Sequence, residues 1–440
     1  MALCVGLLPL KSGGAVAAWF SCRSAYKFRF YPTAAQAEKL NNYFGAGRWY
    51  WNQSLAIRRQ AWQQGGQSLT GVDMSRRLTA WKKTAGMAWL REIPSTILTQ
   101  KGRDLDAAYA AFFAGRGRFP RFKKRAHAQS FRFQLDQRVV ANHYRAGERL
   151  KLTGLGSLKL RWTRLPKGIP KMVTVSRDAV GDYWVSFSVE ESIPALPVNN
   201  GAVGIDMGLT DVVVTSDGWR SGSPKHLYAA TRRLRHQQRT LSRRRKGSNR
   251  WQAQRRRVAK LHRKVARQRQ DFLHKISTTL IRKNQAVAME DLNVAGMMKN
   301  HRLARAIGDA GWRELRRQLE YKAAYYGRDV FLAGRFEATS KTCSACGHRV
   351  AELPLHIRQW QCPACEAEHD RDQNAAINVL AFATGSQPVE TGPRPVGTGG
   401  SAGRACKLDA RGGVKTSGTA EHSALTRTPL KREADPACAA

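Results

Sequence analysis

Two Cys-x-x-Cys pairs constrain the fold of this chain more than any other feature of its sequence. Cys343 and Cys346 form the first pair, Cys362 and Cys365 form the second, and fifteen residues separate the two pairs. Each pair directs two sulfurs at one ion, and four thiolates complete a tetrahedral zinc site. Because no coordination position stays open, we expect a structural zinc within a zinc ribbon that spans about 338–369.

The remaining cysteines lie outside this pattern: Cys4, Cys22, Cys406 and Cys438. Such usage indicates a metal site in a reducing compartment and argues against a disulfide framework. We therefore expect a cytoplasmic protein associated with the nucleoid. Residues 1–23 are interpreted as a disordered extension and not as a signal peptide, because the segment lacks a basic start and Lys11 interrupts its apolar part.

The charge balance indicates the class of partner. The 440 residues include 75 Lys and Arg against 32 Asp and Glu, a formal net charge of +43. Repulsion on this scale opposes compaction unless a polyanion shares the fold, so nucleic acid is the leading partner. An acidic membrane surface is the competing class, but no stretch of the sequence approaches the ~20 apolar residues that a membrane-spanning helix needs.

Two segments concentrate the basic residues. Residues 225–270 contain 18 Lys and Arg and no acid, and Gly247 and Ser248 divide them into two predicted helices. A charge run often marks only a solvated face, but one without any acid is better explained by nucleic-acid contact. Residues 115–124 interleave Phe with Arg and Lys just before a predicted strand. Phosphate contact is the stronger interpretation there, and a solvated loop is the alternative.

The first half of the chain combines helices with an all-β region. A strand is expected to begin near Ala25, and Thr33 with Gln36 has the spacing of a helix capping box. From Ser130 to Glu191 apolar residues alternate with a period of two, which predicts a small β-barrel or sandwich.

From Gly201 the pattern becomes α/β, so the fold class is α+β with more than one domain. Buried strands are predicted just before Asp206 and Glu290, and one amphipathic helix is predicted from about Arg302 to Tyr325. Beyond Ala383 the chain is rich in Gly, Ser, Thr and Pro, and we expect it to be disordered.

Three carboxylates stand at the ends of predicted elements. Asp206 and Glu290 each end a buried strand, and Asp372 begins the helix that follows the ribbon. A lone buried charge is costly, so three converging acids would favour Mg²⁺ or Mn²⁺ as their partner. Two such ions could activate a water and stabilise the leaving oxygen of a phosphodiester. Asp370 is an alternative ligand or helix cap beside Asp372.

Taken together, these motifs resemble the TnpB (OrfB-type) proteins of bacterial insertion sequences, relatives of the compact type V CRISPR nucleases. Gly204-Ile205-Asp206-Met207-Gly208 resembles the first RuvC motif of that family, Met289-Glu290-Asp291-Leu292-Asn293-Val294 the second, and Asp370-Arg371-Asp372-Gln373-Asn374-Ala375-Ala376-Ile377-Asn378 the third. Their order adds to the resemblance, with 84 residues from Asp206 to Glu290 and 82 from Glu290 to Asp372.

The resemblance implies an RNA-guided, metal-dependent DNA endonuclease, with Asp206, Glu290 and Asp372 as its metal-binding catalytic acids. Its partners would be a guide RNA and double-stranded target DNA, and a monomer is favoured. The implied organisation is a wedge β-barrel over 24–198 with a helical recognition insert at about 33–115. An RNase H-like (RuvC) nuclease domain over 199–383 would carry the zinc ribbon and precede a disordered tail at 384–440.

Two other functions remain open at this point. A DNA strand-transfer transposase would use the same nuclease core for joining as well as cutting. A catalytically silent RNA-guided DNA-binding protein would be expected to have lost one of the three acids. Because Asp206, Glu290 and Asp372 are all present, the sequence favours an active nuclease.

Overall fold

An antiparallel strand pair runs through the N-terminal part of the computed structural model, which describes residues 19–125, 129–135, 140–335 and 337–385. The strands of this part are β1 (Trp19–Phe30), β2 (Gln129–Gln134), β3 (Tyr144–Arg145), β4 (Arg149–Leu152), β5 (Gly156–Leu158), β6 (Leu160–Arg161), β7 (Met172–Arg177) and β8 (Tyr183–Pro194). β1 pairs with β8 along its whole length, from Trp19 opposite Pro194 to Phe30 opposite Tyr183. This pairing explains why β1 begins before the expected start near Ala25. Residues 1–18 of the predicted extension lie outside the described residues.

The expected wedge β-barrel is corrected to an open sheet. Five strands are ordered β2-β7-β8-β1-β6, and β3-β4-β5 form a separate sheet. Within the part of the chain that the structure describes, no pairing joins the edge strands β2 and β6. Helices cover the apolar face instead: Phe44 packs on Phe131 of β2 with ring centroids 5.1 Å apart. Helices packed on the sheet bury the same alternating apolar side chains that a closing strand would bury.

The helices that provide this cover are α1 (Ala34–Gly65), α2 (Gly71–Lys83), a 3-10 helix (Ala85–Glu92), α3 (Ser95–Phe113) and α4 (Val140–His143). α1 begins with the predicted capping box. The Thr33 hydroxyl accepts the Gln36 N–H at 3.2 Å, and the Gln36 side chain accepts the Thr33 N–H at 3.1 Å. Leu40, Phe44 and Leu98 are buried where α1 and α3 meet the sheet.

The second part of the chain has six helices among the described residues: α5 (His226–Ser242), α6 (Asn249–Lys283), α7 (Val294–Met297), α8 (Ala304–Ala310), α9 (Trp312–Tyr326) and α10 (Arg371–Thr384). α5 and α6 are the two basic helices that the sequence predicts, and the Ser248 hydroxyl caps α6 by accepting the Trp251 N–H at 3.1 Å. The prediction of a single helix at about 302–325 is wrong. The helix is interrupted at Gly311, which has a φ of +73° and separates α8 from α9.

A four-stranded sheet separates two layers of these helices. Its strands are β9 (Ala202–Asp206), β10 (Val214–Thr215), β11 (Ala286–Glu290) and β12 (Asp329–Ala333), in the order β10-β9-β11-β12. β9, β11 and β12 are parallel, and β10 is antiparallel to β9. Ile205 and Met289 lie on the face that packs against α6 and α9. Because side chains alternate along a strand, Gly204 and Ala288 lie on the opposite face, against α10.

A two-stranded hairpin, β13 (Gln359–Gln361) and β14 (Glu368–Asp370), leads into α10.

An ion-pair cluster joins the two parts of the chain, where Arg263 of α6 donates to Asp178 at 2.8 Å and to Asp182 at 2.6 Å. No helix among the described residues is long and apolar enough to span a bilayer. Residues 386–440 of the predicted tail lie outside the described residues.

Candidate active site and cysteine cluster

Asp206 and Glu290 end neighbouring parallel strands. In the register of β9 and β11, Gly204 lies opposite Ala288 and Ile205 opposite Met289, so the next residues of both strands are the two acids. Adjacent strands are about 4.8 Å apart, and residues at the same level of parallel strands share a face. The sheet therefore places Asp206 and Glu290 side by side on the face that α10 covers.

Helix α10 brings the third acid to this edge. Asp372 lies in the first turn of α10, and the helix approaches the sheet where the side chains are smallest. Ala288 and Ala333 pack with Val379 in one small cluster. Gly204 allows the closest approach, because a Cβ atom there would lie 1.9 Å from the carbonyl oxygen of Ala376.

The pKa of Asp206 reflects the proximity of the other two acids. Burial, and after it the negative charges of Glu290 and Asp372, together raise the pKa of Asp206 from 3.8 to about 7. The backbone of Met207 and the charge of Arg358 act in the opposite direction but do not outweigh burial and the two carboxylates. This donor set suits a hard divalent cation, which prefers carboxylate oxygens.

The two acids at the start of α10 have different roles in the fold. Asp370 is the helix N-cap, and its carboxylate accepts the N–H groups of Asp372 and Gln373 at 3.1 and 3.0 Å. Asp372 instead lies beside Asp206 and is held by Arg358, whose guanidinium donates to it at 2.9 Å. Arg220 contacts Asp370 at 2.7 Å and lies 3.9 Å from Asp372.

Glu290 is held by a neutral donor. The hydroxyl of Thr339 donates to one Glu290 carboxylate oxygen at 2.6 Å, and Thr339 is only 6% exposed. Asn378 of α10 donates to the carbonyl of Thr339 at 2.7 Å and to that of Thr342 at 2.6 Å. Asn374, one turn earlier, donates to the same Thr342 carbonyl at 2.8 Å.

The four cysteines of the Cys-x-x-Cys pairs converge. The sulfurs of Cys343 and Cys365 are 3.7 Å apart, as are those of Cys346 and Cys362. A tetrahedral site with Zn–S bonds of about 2.3 Å requires sulfur separations of about 3.8 Å, so this donor set fits zinc. Among the described residues this is the one group of three or more metal-ligating side chains whose donor atoms all lie within 4.8 Å of one another. The three carboxylates are more widely spaced than that.

The basic segment at 115–125 is fixed to α1. The Trp51 indole N–H donates to the Arg121 carbonyl at 3.0 Å, and Asn52 exchanges two hydrogen bonds with the backbone of Lys123 at 3.0 and 2.8 Å. The Lys123 ammonium lies 3.6 Å from the Trp51 ring centroid, and burial lowers its pKa to about 8. Lys123 is therefore an anchor, and the exposed cations of this loop are those at Arg116, Arg118, Arg121, Lys124 and Arg125.

A large cavity of about 1180 Å³ lies between α1, the turn after β7 and the start of α6. Five arginines line it, against the two acids Glu92 and Asp178. The arginines are Arg48, Arg125, Arg177, Arg255 and Arg256. This cavity joins the basic helix α6 to the helical cover of the first sheet, and its charge suits a polyanion.

The sequence patterns did not single out the side chains that hold the acids. Arg220 pairs across the sheet with Val214, which in turn pairs with Asp206, so only the strand register places its guanidinium near Asp370 and Asp372. Arg358 lies in the middle of the ribbon, where nothing in the local sequence indicates its partner. Thr339 lies four residues before Cys343, and its distance to Glu290 depends on the packing of α10.

Three family models match this chain. Residues 185–301 match a family described as "Probable transposase", and residues 312–379 match a family described as "Cas12f1-like, TNB domain". Residues 22–67 match a model described as "Helix-turn-helix domain". In the structure those residues form most of β1 and the single helix α1.

Curated relatives match along most of the chain. A protein of Streptomyces pristinaespiralis named "Putative RNA-guided DNA endonuclease" is 42% identical over 85% of this chain and 92% of its own length. The Escherichia coli K12 protein "Putative RNA-guided DNA endonuclease InsQ" is 34% identical over 81% of this chain and 91% of its own. Among solved structures, Cas12f1 in a complex with its sgRNA and target DNA matches with a TM-score of 0.53 at 14% identity. That match covers 82% of this chain and 99% of Cas12f1, and it shows a shared fold.

Proposed function

Since the chain belongs to the TnpB (OrfB-type) family of insertion-sequence proteins, related to the type V nucleases, we propose that it is an RNA-guided DNA endonuclease. The observation that carries this proposal is the position of Asp206, which lies half-buried beside Glu290 and Asp372 at one edge of the parallel sheet. The strand-transfer alternative is not favoured, because both whole-chain relatives are named as endonucleases.

Asp206, Glu290 and Asp372 would hold Mg²⁺ or Mn²⁺, in an RNase H-like (RuvC) arrangement. The raised pKa of Asp206 supports this assignment, because a bound cation would offset both the burial and the neighbouring negative charges that oppose its ionisation. When bound, the metal would activate water and stabilise the leaving oxygen of a phosphodiester. Asp370 is not part of the proposed set, because its carboxylate caps α10.

The protein groups around the acids would orient the substrate strand. Arg358 is about half exposed and contacts Asp372 from the ribbon side, so its guanidinium is within reach of a phosphate brought to the acids. Arg220 is tied to Asp211 at 3.2 Å and to Asp370 at 2.7 Å, which fixes the β10 side of the site. Together they provide positive charge at the edge of an acidic centre, where a DNA backbone needs it.

The guide RNA and target DNA would occupy the basic surfaces. Helices α5 and α6 carry the acid-free segment, and the arginine-lined cavity lies at the start of α6. Base pairing between guide and target would supply sequence specificity while the protein binds backbone phosphates. We propose that residues 24–198, with the helical insert, recognise nucleic acid and that residues 199–383 form the nuclease domain.

The four cysteines would hold one structural zinc, with all four coordination positions filled by thiolates. The zinc would not take part in hydrolysis. Its proposed role is to hold the ribbon, from which Arg358 reaches Asp372 and Thr339 reaches Glu290.

Sequencing the RNA that co-purifies with the protein expressed from its native locus tests the proposed guide dependence. A single enriched species, with a constant scaffold and a variable 3′ segment, is the expected result. Heterogeneous RNA that a salt wash removes would contradict the proposal, because a net charge of +43 also binds polyanions without specificity.

A further inference from the structure

Thr339 is a buried hydroxyl whose hydrogen-bond acceptor is one of the three proposed catalytic acids. Its Oγ1 donates to Glu290 at 2.6 Å, a short bond between a neutral donor and a carboxylate. The neighbouring threonine shows the contrast: Thr342 Oγ1 donates to a backbone carbonyl, that of Ala338, at 2.9 Å. Of these two threonines, Thr339 is the one whose hydroxyl contacts an acid of the site.

The position of Thr339 is fixed from both sides. Asn374 and Asn378 lie one turn apart on α10, both are 1% exposed, and both donate to the backbone of the segment between Thr339 and Cys343. The Asn374 side chain also accepts the N–H of Ser344 at 2.9 Å. The same helix carries Asp372, so α10 fixes one acid directly and reaches a second through Thr339.

We propose that Thr339 is a positioning residue for divalent-cation binding, which rests on the proposed function of the site. Its hydroxyl fixes the Glu290 carboxylate by occupying one oxygen and leaves the second oxygen for the cation. A neutral donor suits this task, because it orients the carboxylate without neutralising the charge that attracts the metal. An arginine in the same place would compete with the cation for the carboxylate.

Hydrogen bonds to metal ligands commonly change metal affinity by about 10–100-fold when they are removed. The variant Thr339→Val keeps the branched shape of the side chain and removes the hydroxyl. Thr339→Ser restores the donor. Thr384→Val is the matched control, because the Thr384 hydroxyl donates to the Leu380 carbonyl at 2.8 Å at the far end of α10.

The test uses the full chain with its co-purified RNA and has two readouts. The first replaces Mg²⁺ by Fe²⁺ and adds hydrogen peroxide with ascorbate: the bound Fe²⁺ reduces peroxide to hydroxide and a hydroxyl radical that cuts the polypeptide nearby, and ascorbate reduces the resulting Fe³⁺ back to Fe²⁺. The Fe²⁺ concentration that gives half-maximal cutting next to Asp206 and Glu290 measures affinity at this site, without interference from ions on the RNA. The second readout is the Mg²⁺ concentration required for half-maximal guide-directed DNA cleavage.

We expect Thr339→Val to raise both concentrations by about tenfold or more, and Thr339→Ser and Thr384→Val to match the wild type. A merely structural Thr339 would lower the melting temperature of Thr339→Val but leave both concentrations unchanged, and that result would overturn the inference. Failure of the proposed function is distinguishable, because then the wild-type protein itself would show neither guide-directed cleavage nor Fe²⁺ cutting at the acids.

Discussion

Gly204 faces the carbonyl oxygen of Ala376, and a Cβ atom at Gly204 would lie 1.9 Å from that oxygen. A backbone carbonyl cannot turn aside as a flexible side chain can. The contact therefore sets how closely α10 approaches β9, and with it the distance from Asp206 on β9 to Asp372 on α10. The segment 204–208 therefore needs a glycine at its first position for packing, in addition to any role of Asp206.

The variant Gly204→Ala should displace α10 and separate the acids. We expect the free energy of unfolding to fall by about 1–3 kcal/mol, which is typical of overpacking. We expect the rate of metal-dependent cleavage to fall by more than this loss of stability alone would cause. Gly45→Ala is the control for stability: Gly45 lies within α1, and nothing lies within 4 Å of a Cβ built there. Urea unfolding of both variants checks this, and equal stability of the two would contradict the packing argument.

Asp206 should make the metal-free protein pH-sensitive. Its pKa is raised from 3.8 to about 7 in the folded state, so its favourable contribution to folding is complete below pH 3.8 and is lost as the pH rises through about 7. Without added Mg²⁺, the stability of the wild type relative to Asp206→Asn should fall across this range. Melting temperatures of both proteins from pH 5 to pH 8 measure the difference. If the two proteins show the same dependence of melting temperature on pH, the pKa of Asp206 is not raised.

The same pKa predicts how the cation competes with the proton. Below pH 7 the Mg²⁺ concentration needed for cleavage should rise by up to about tenfold per pH unit, because a proton on Asp206 must leave before the metal binds. Measuring cleavage rates against Mg²⁺ concentration at several pH values checks this. A Mg²⁺ requirement that does not change between pH 6 and pH 8 would be inconsistent with Asp206 as a ligand.

The cysteine cluster should bind one zinc ion per chain. Cys362→Ser should lower the zinc content below one equivalent and expose the ribbon to proteases, because structural zinc sites contribute directly to folding. Cys22→Ala is the control, since Cys22 lies on β1, far in sequence from the four ligands. Elemental analysis with limited proteolysis measures both effects, and a full zinc content in Cys362→Ser would exclude the proposed ligand set.

Asn52 should control nucleic-acid affinity without contacting nucleic acid. Asn52→Ala removes both hydrogen bonds to the backbone of Lys123 and releases the basic loop. We expect about a fivefold loss of RNA affinity, because the loop must then be ordered on binding. The salt dependence of binding should not change, since every cation is still present. The control is Gln60→Ala, at an exposed position on α1, which should bind RNA as the wild type does. A changed dependence of RNA affinity on salt concentration in Asn52→Ala would contradict this account, because it would indicate lost charge contacts.

Local patterns in the sequence predicted the elements that depend on local chemistry. The Thr33 capping box, the turn at Ser248 between the basic helices and the convergence of the four cysteines are all present in the structure. Each depends on residues within a few positions of one another, or on a ligand spacing that one ion can satisfy.

Features that depend on tertiary packing were predicted less well. The alternation from Ser130 to Glu191 indicates strands but not what covers them, so the open sheet under α1 and α3 could not be distinguished from a barrel. Gly311 breaks a helix whose apolar periodicity continues on both sides. Thr339 and Arg358 reach the acids because α10 and the ribbon pack there, and Arg220 does so because it pairs with Val214 across the sheet. No short-range pattern encodes those contacts.

Guide-directed cleavage of a matched DNA target is the most direct test of the central claim. The protein and its co-purified RNA should cut linear DNA that carries the guide-complementary sequence when Mg²⁺ is present, and should leave a scrambled target intact. Asp206→Asn, which preserves shape and removes the charge, should still bind RNA but reduce cutting by at least about a thousandfold. Cleavage that is independent of the guide sequence, or that persists in Asp206→Asn, would contradict the account.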